Sequence, residues 1–170
     1  MKQLDHNETQ NKKKKFPITL ICDEIRTPEN IGMCFRISES FGVEKIYLHE
    51  NSVELENRKV QRTARNTINQ VTSDRYSNFN QLVRQLKNEG NTVIGLEITD
   101  SSQPIKNFRF TAHNKIALVI GSERNGISDV NLLDQSIYIP MHGQNTSMNV
   151  IHSLAIALYE ITNQISNCNY

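Results

Sequence analysis

The chain reads as an α/β protein built on a mostly parallel sheet flanked by helices. Three observations predict this. Short apolar runs rich in β-branched residues alternate with segments of helical period. Pro17, Gly42 and Gly90 fall at the junctions. The segment 149–165 carries Val150, Leu154, Leu158, Ile161 and Ile165 at the spacing of one long helix.

Taken in order, FPITLIC (16–22) is a buried strand bounded by Pro17. TPENIGMCFRISESFG is a helix, with Thr27 as N-cap, Pro28 at the first helical position and Gly42 as its stop. EKIYLH is a second strand, and a helix is expected around 57–69. NFNQLVRQLKNEG is a helix punctuated by Gly90. NTVIGLEI and KIALVIG are strands separated by a loop containing Pro104. SDVNLLDQ is expected to form a short helix capped by Ser128, and SIYIPM is the last strand before the final helix.

The 170 residues suit one domain, with 37% hydrophobic and 22% charged residues as in ordinary soluble proteins. A net charge of +1 means that any nucleic-acid site must come from local clustering. Cys22, Cys34 and Cys168 form no CxxC pattern, and an odd count argues against a disulfide framework. Cys22 and Cys34 lie in apolar runs as structural thiols, which fits a reducing cytoplasm. No run reaches the roughly 20 apolar residues of a membrane span. Residues 1–15, with lysines at 12–15 and no apolar run behind them, read as a flexible basic tail rather than a signal peptide. RNA contact is a secondary reading of that tail. The folded domain is expected over 16–170.

Ligands of parallel sheets gather beyond the carboxyl ends of the strands. Three strand ends are unusual here: the segment with Asn30, Gly32 and Arg36, the GSERNG segment from Gly121 to Gly126, and the polar loop 139–149. Each has an ordinary explanation. Glycines serve turns, a carboxylate suits a helix N-terminus, and Ser147 and Asn149 are common caps. Their joint arrangement is what stands out. The GSERNG segment lacks the Lys-Ser/Thr pair of a P-loop, and no GxGxxG, HExxH or GxSxG is present.

Pro28-x-Asn30-x-Gly32-x-x-x-Arg36, Gly121-Ser122-Glu123-x-x-Gly126, and Ile139-Pro140-Met141 followed by Ser147-Met148-Asn149-Val150 resemble the three motifs of the SpoU (TrmH-type) RNA 2'-O-methyltransferases. These belong to the SPOUT superfamily. The resemblance runs from about residue 16 to 165, with Met148 and the Arg124-Asn125 pair as mild departures. It implies a sheet whose C-terminal part threads a trefoil knot, an exception among folds. It also implies S-adenosylmethionine held at Leu96, Glu97, Gly121, Ile139, Met141 and Met148, and a homodimer whose active site is completed across the interface. Asn30, Arg36, Glu123, Ser147 and Asn149 become the catalytic set, and no metal is required.

The implied reaction moves a methyl from the sulfonium to a ribose 2'-hydroxyl, leaving S-adenosylhomocysteine. The family commonly assigns Arg36 as general base. An arginine side chain, with a pKa above about 12, is scarcely neutral at pH 7. A bidentate clamp on the neighbouring phosphate is the easier role to defend. The 2'-hydroxyl implies RNA. Transfer RNA is favoured over ribosomal RNA, because the chain is little more than a catalytic domain. A non-catalytic RNA-binding knot protein is the alternative from another class, and a nucleotide hydrolase is a distant third. Arg58, Lys59, Arg62 and Arg65 fall in an acid-free stretch, and the three arginines are expected to share a helix face for RNA phosphates.

Overall fold

Among the described residues, seven strands, all parallel, form one sheet in the order β3-β2-β1-β6-β4-β7-β5. They are β1 (Phe16–Cys22), β2 (Val43–His49), β3 (Thr72–Tyr76), β4 (Asn91–Leu96), β5 (Gln103–Pro104), β6 (Lys115–Ile120) and β7 (Gln135–Tyr138). The helices are α1 (Pro28–Ser40), α2 (Arg58–Ala64), α3 (Phe79–Asn88) and α4 (Val150–Asn167). The computed structural model describes residues 2–3, 9, 13–111 and 114–167. Lys12 and Cys168, and most of the tail expected over 1–15, lie outside the described residues.

Parallel strands in the middle of such a sheet are covered on both faces, which is why their sequences are continuously apolar. The centre pairs Ile18–Cys22 with Ile116–Ile120 in unbroken register. Alternation sends Ile18, Leu20, Ile116 and Leu118 to the face covered by α1, α2 and α4, and Ile21, Ala117 and Val119 to the face covered by α3. On α4, Leu154, Leu158, Ile161 and Ile165 are buried at the spacing read from the sequence. No helix among the described residues is long and apolar enough to cross a membrane.

Helix α1 starts at Pro28 as expected, but Thr27 makes no side-chain cap bond. Its end is as expected: Gly42 has φ 64°, and a Cβ there would lie 2.1 Å from the Lys14 carbonyl oxygen. Lys14 and Lys15 are docked on the fold rather than free. The Lys14 ammonium lies 4.6 Å from the Phe16 ring centre, and Lys15 Nζ donates to the Val43 carbonyl at 2.9 Å.

Five expectations need correction. The helix expected over 57–69 is α2 alone, followed by a 3₁₀ turn at Ile68–Gln70. Arg65 sits past its end at φ 55° and ψ −126°, so Arg58, Arg62 and Arg65 do not share a helical face. The helix expected over 128–135 is a 3₁₀ turn, Val130–Leu132, capped by Asp129 instead of Ser128. Strand β3 was not expected. It is an edge strand with only Tyr76 buried, so its sequence carries almost no apolar signal. Strands β4 and β7 stop at Leu96 and Tyr138, short of the apolar runs that announced them.

Candidate active site

The carboxyl ends of β4, β6 and β7, with the start of α4, enclose a cleft of about 620 Å³. Leu96, Glu97, Gly121, Ile139, Met141 and Met148 all line it. So do Glu123, Ser147 and Asn149. The sequence pattern therefore named one contiguous surface. Ser122 of the second motif lines it as well, and so do Tyr138 and Ser153, which were not singled out.

Backbone proximity shapes the floor. A Cβ on Gly121 would lie 2.1 Å from the Gly126 carbonyl carbon, so only glycine lets the two segments meet. Between them the chain turns back tightly. Ser122 and Gly126 exchange two backbone hydrogen bonds of 3.0 Å, and the Asn125 N–H donates to Ser122 Oγ at 3.2 Å. The Glu97 carboxylate lies against Gly126, where a Cβ would come within 2.5 Å of Oε2. Its Oε1 accepts from the Ile98 N–H at 3.0 Å.

The β6 loop is tied to the start of α1. Asn30 Nδ2 donates to Glu123 Oε1 at 2.5 Å, across 93 residues of sequence. Thr27, which makes no cap bond to α1, also favours the charged form of the Glu123 carboxylate. Partial burial pushes the Glu123 pKa up, but the Thr27 hydroxyl, its own N–H and the Asn30 amide outweigh that and hold it below the ordinary value. Glu123 is thus an ionised acceptor at the cleft mouth.

Asn149 caps α4: its Oδ1 accepts from the Ile151 N–H at 2.9 Å. The ordinary capping role is real, and it aims the rest of the side chain. With the oxygen held on the helix, the Nδ2 donor has no partner among the described residues and remains available to the cleft. Ser147 is exposed on the loop before it.

Arg36 is not brought into this cleft. It lies six residues beyond Asn30 on α1, which turns it through about 240° of helix from Asn30. Its guanidinium has no ion pair or hydrogen bond among the described residues. Gly32 has a packing role. A Cβ there would meet Thr63 Oγ1 at 2.0 Å and the Val60 carbonyl oxygen at 2.5 Å, so α1 and α2 touch backbone to backbone. That contact mounts the exposed Arg58, Lys59 and Arg62 on the helix that carries Asn30 and Arg36, with Lys59 paired to Glu29 at 3.2 Å.

A parallel sheet with a cleft walled by three strand-end loops and a capped helix defines a ligand-binding α/β protein. Residues 17–159 match the model of the SpoU rRNA Methylase family, and the chain belongs to that family. It is 30% identical over 157 residues to an uncharacterized tRNA/rRNA methyltransferase of Borreliella burgdorferi, covering 91% of this chain and 68% of that one. It is 29% identical to the 23S rRNA (guanosine-2'-O-)-methyltransferase RlmB of Blochmanniella floridana, over 88% of this chain and 58% of the relative. The chain thus spans little more than half the length of that relative. Among solved structures it is similar to the A. aeolicus TrmH/SpoU tRNA modifying enzyme, with a TM-score of 0.81, 24% identity, and 92% and 79% of the two chains covered. It is also similar to a protein solved for structural insights into the 2-OH methylation of C/U34 on tRNA, with a TM-score of 0.77, 21% identity, and 88% and 97% coverage.

Proposed function

We propose that this protein transfers a methyl group from S-adenosylmethionine to a ribose 2'-hydroxyl of RNA. The observation that carries the reading is that the second and third motif segments line one cleft, to which the first is tied through the Asn30–Glu123 bond. The cleft suits the cofactor. It offers apolar walls at Leu96, Ile139, Met141 and Met148 for a flat heterocycle, a glycine floor for close backbone approach, and the Glu97 carboxylate for hydroxyls or an ammonium. S-adenosylmethionine, when bound, supplies a methyl already activated by its sulfonium, so the protein's task is alignment and proton removal.

In this reading Asn149 Nδ2 and the Ser147 hydroxyl hold the ribose at the cleft, and Glu123 with Asn30 fixes the opposite edge. Arg36 clamps the phosphate beside the reacting hydroxyl with its planar fork, and that phosphate relays the proton. The position of Arg36 outside its own chain's cleft favours a homodimer in which each cleft is completed by the other subunit's α1. The trefoil threading of the C-terminal part is carried over from the family resemblance.

Exposed Arg58, Lys59, Arg62 and Arg65 receive RNA phosphates, with Lys13 to Lys15 as a secondary contact. The folded domain spans 16–170, and the cytoplasm is the compartment that fits an RNA substrate and buried free Cys22 and Cys34. Transfer RNA is the substrate favoured here over ribosomal RNA; a protein of similar fold was solved for the 2-OH methylation of C/U34 on tRNA.

The test is methyl transfer from labelled S-adenosylmethionine to unmodified tRNA, ribosomal RNA and a DNA copy of each. Label in RNA and none in DNA is expected. Label in neither RNA, from protein that binds the cofactor, contradicts the catalytic reading and favours a non-catalytic RNA-binding protein.

A further inference from the structure

We propose that Asp23 is a positioning residue for this site: its carboxylate fixes the 121–128 loop against the end of β1 and so sets the cleft floor and Glu123. The inference rests on the methyltransferase reading for its ligand, but its geometry stands by itself. Asp23 is fully buried. Its Oδ2 accepts from the Ser128 N–H at 2.6 Å and the Ser128 hydroxyl at 2.7 Å, and its Oδ1 accepts from the Tyr76 hydroxyl at 2.9 Å. Its own N–H donates to the Ile120 carbonyl at 2.8 Å. No cation pairs with it among the described residues, so three neutral donors from two distant segments carry the whole task of solvating a buried carboxylate. A charge left with fewer partners in such a place is costly, so the donors are held firmly.

The path to the cleft is short. Ser128 lies two residues beyond Gly126, which closes the loop on Ser122 and fills the space beside Gly121. Any slip at Ser128 is passed to Gly126 and thence to the floor and Glu123. Two segments, 23–30 and 121–128, are therefore clamped twice: Asp23–Ser128 at the buried end and Asn30–Glu123 at the mouth. Tyr76 anchors the same carboxylate through its other oxygen, from the edge strand, and makes no hydrogen bond to the loop among the described residues.

That asymmetry gives the test. Ser128→Ala and Tyr76→Phe each remove one hydroxyl donor to Asp23, the first on the loop and the second on the sheet. Calorimetric titration of both variants with S-adenosylmethionine and S-adenosylhomocysteine is set beside their thermal midpoints. Both midpoints fall by comparable amounts. Ser128→Ala binds the ligands about tenfold more weakly, Tyr76→Phe changes by less than about threefold, and Ser128→Thr, which keeps the hydroxyl, restores affinity. Should Ser128→Ala not fold, Ser128→Cys, a weak donor of similar size, takes its place under the same criteria. Unchanged affinity in the Ser128 variant, or equal losses in both, overturns the positioning role. A wild-type protein that binds neither ligand overturns the methyltransferase reading instead.

Discussion

The side-chain amide of Asn30 donates to the Glu123 carboxylate at 2.5 Å and so joins the first turn of α1 to the loop after β6. The contact has a pH signature. A folded-state pKa held below the ordinary carboxylate value of 4.5 gives a stabilising contribution that is present above that value and lost as pH falls through the lowered one. Carboxyl NMR of Glu123 is expected to titrate below 4.5, and Asn30→Ala is expected to move the midpoint upward. A wild-type midpoint at or above 4.5 would show that the contact does not hold the charged form.

Gly121→Ala and Gly143→Ala make a contrasting pair. The first Cβ would lie 2.1 Å from the Gly126 carbonyl carbon, while the second meets nothing within 4 Å. Gly121→Ala should weaken cofactor binding at least about tenfold, since overpacking costs on the order of 1–3 kcal/mol, and Gly143→Ala should leave it within about twofold. Calorimetry decides, and equal affinities would deny that the glycine contact forms the floor.

Gly32→Ala forces α1 and α2 apart, because the added carbon meets backbone at Val60. A stability loss of about 1–3 kcal/mol is expected. RNA affinity should fall with it while cofactor affinity holds, since α2 carries the arginines and the cleft lies elsewhere. Chemical denaturation with parallel RNA and cofactor titrations separates these effects, and a loss confined to the cofactor would contradict the account.

The basic patch is tested by salt. Arg62→Glu with Arg65→Glu should weaken RNA binding and flatten its dependence on salt, leaving the cofactor untouched. Arg65 no longer shares a helical face with Arg62, so each single variant is expected to act separately and additively. An unchanged salt slope in the double variant would mark the patch as plain surface.

Much of this architecture was legible because local chemistry and tertiary role coincide. The runs at Ile18–Cys22 and Ile116–Ile120 are apolar because both faces are covered, and Pro28 and Gly42 bracket α1 where backbone geometry requires them. The failures arise where they diverge. Ser128 has the chemistry of a cap, yet its hydroxyl serves Asp23, 105 residues away. Thr27 has the chemistry of a cap as well, yet it makes no side-chain cap bond to α1. Arg65 ends α2 at a positive φ that no glycine announces, and β3 hides behind an edge-strand sequence with one buried residue. The residues that line the cleft were legible only through the family motifs. Nothing local to Leu96 or Met141 says that they share a cleft.

The central claim is that the methyl lands on a ribose oxygen, and alkaline hydrolysis tests it most directly. Base cleaves RNA through the 2'-hydroxyl, so a methyl there protects one phosphodiester, whereas a methyl on a base protects none. RNA treated with the wild-type protein and labelled S-adenosylmethionine should yield its label in an alkali-resistant dinucleotide, and Asn149→Ala protein should yield none. Label recovered in single nucleotides after complete hydrolysis would place the methyl on a base and contradict the account.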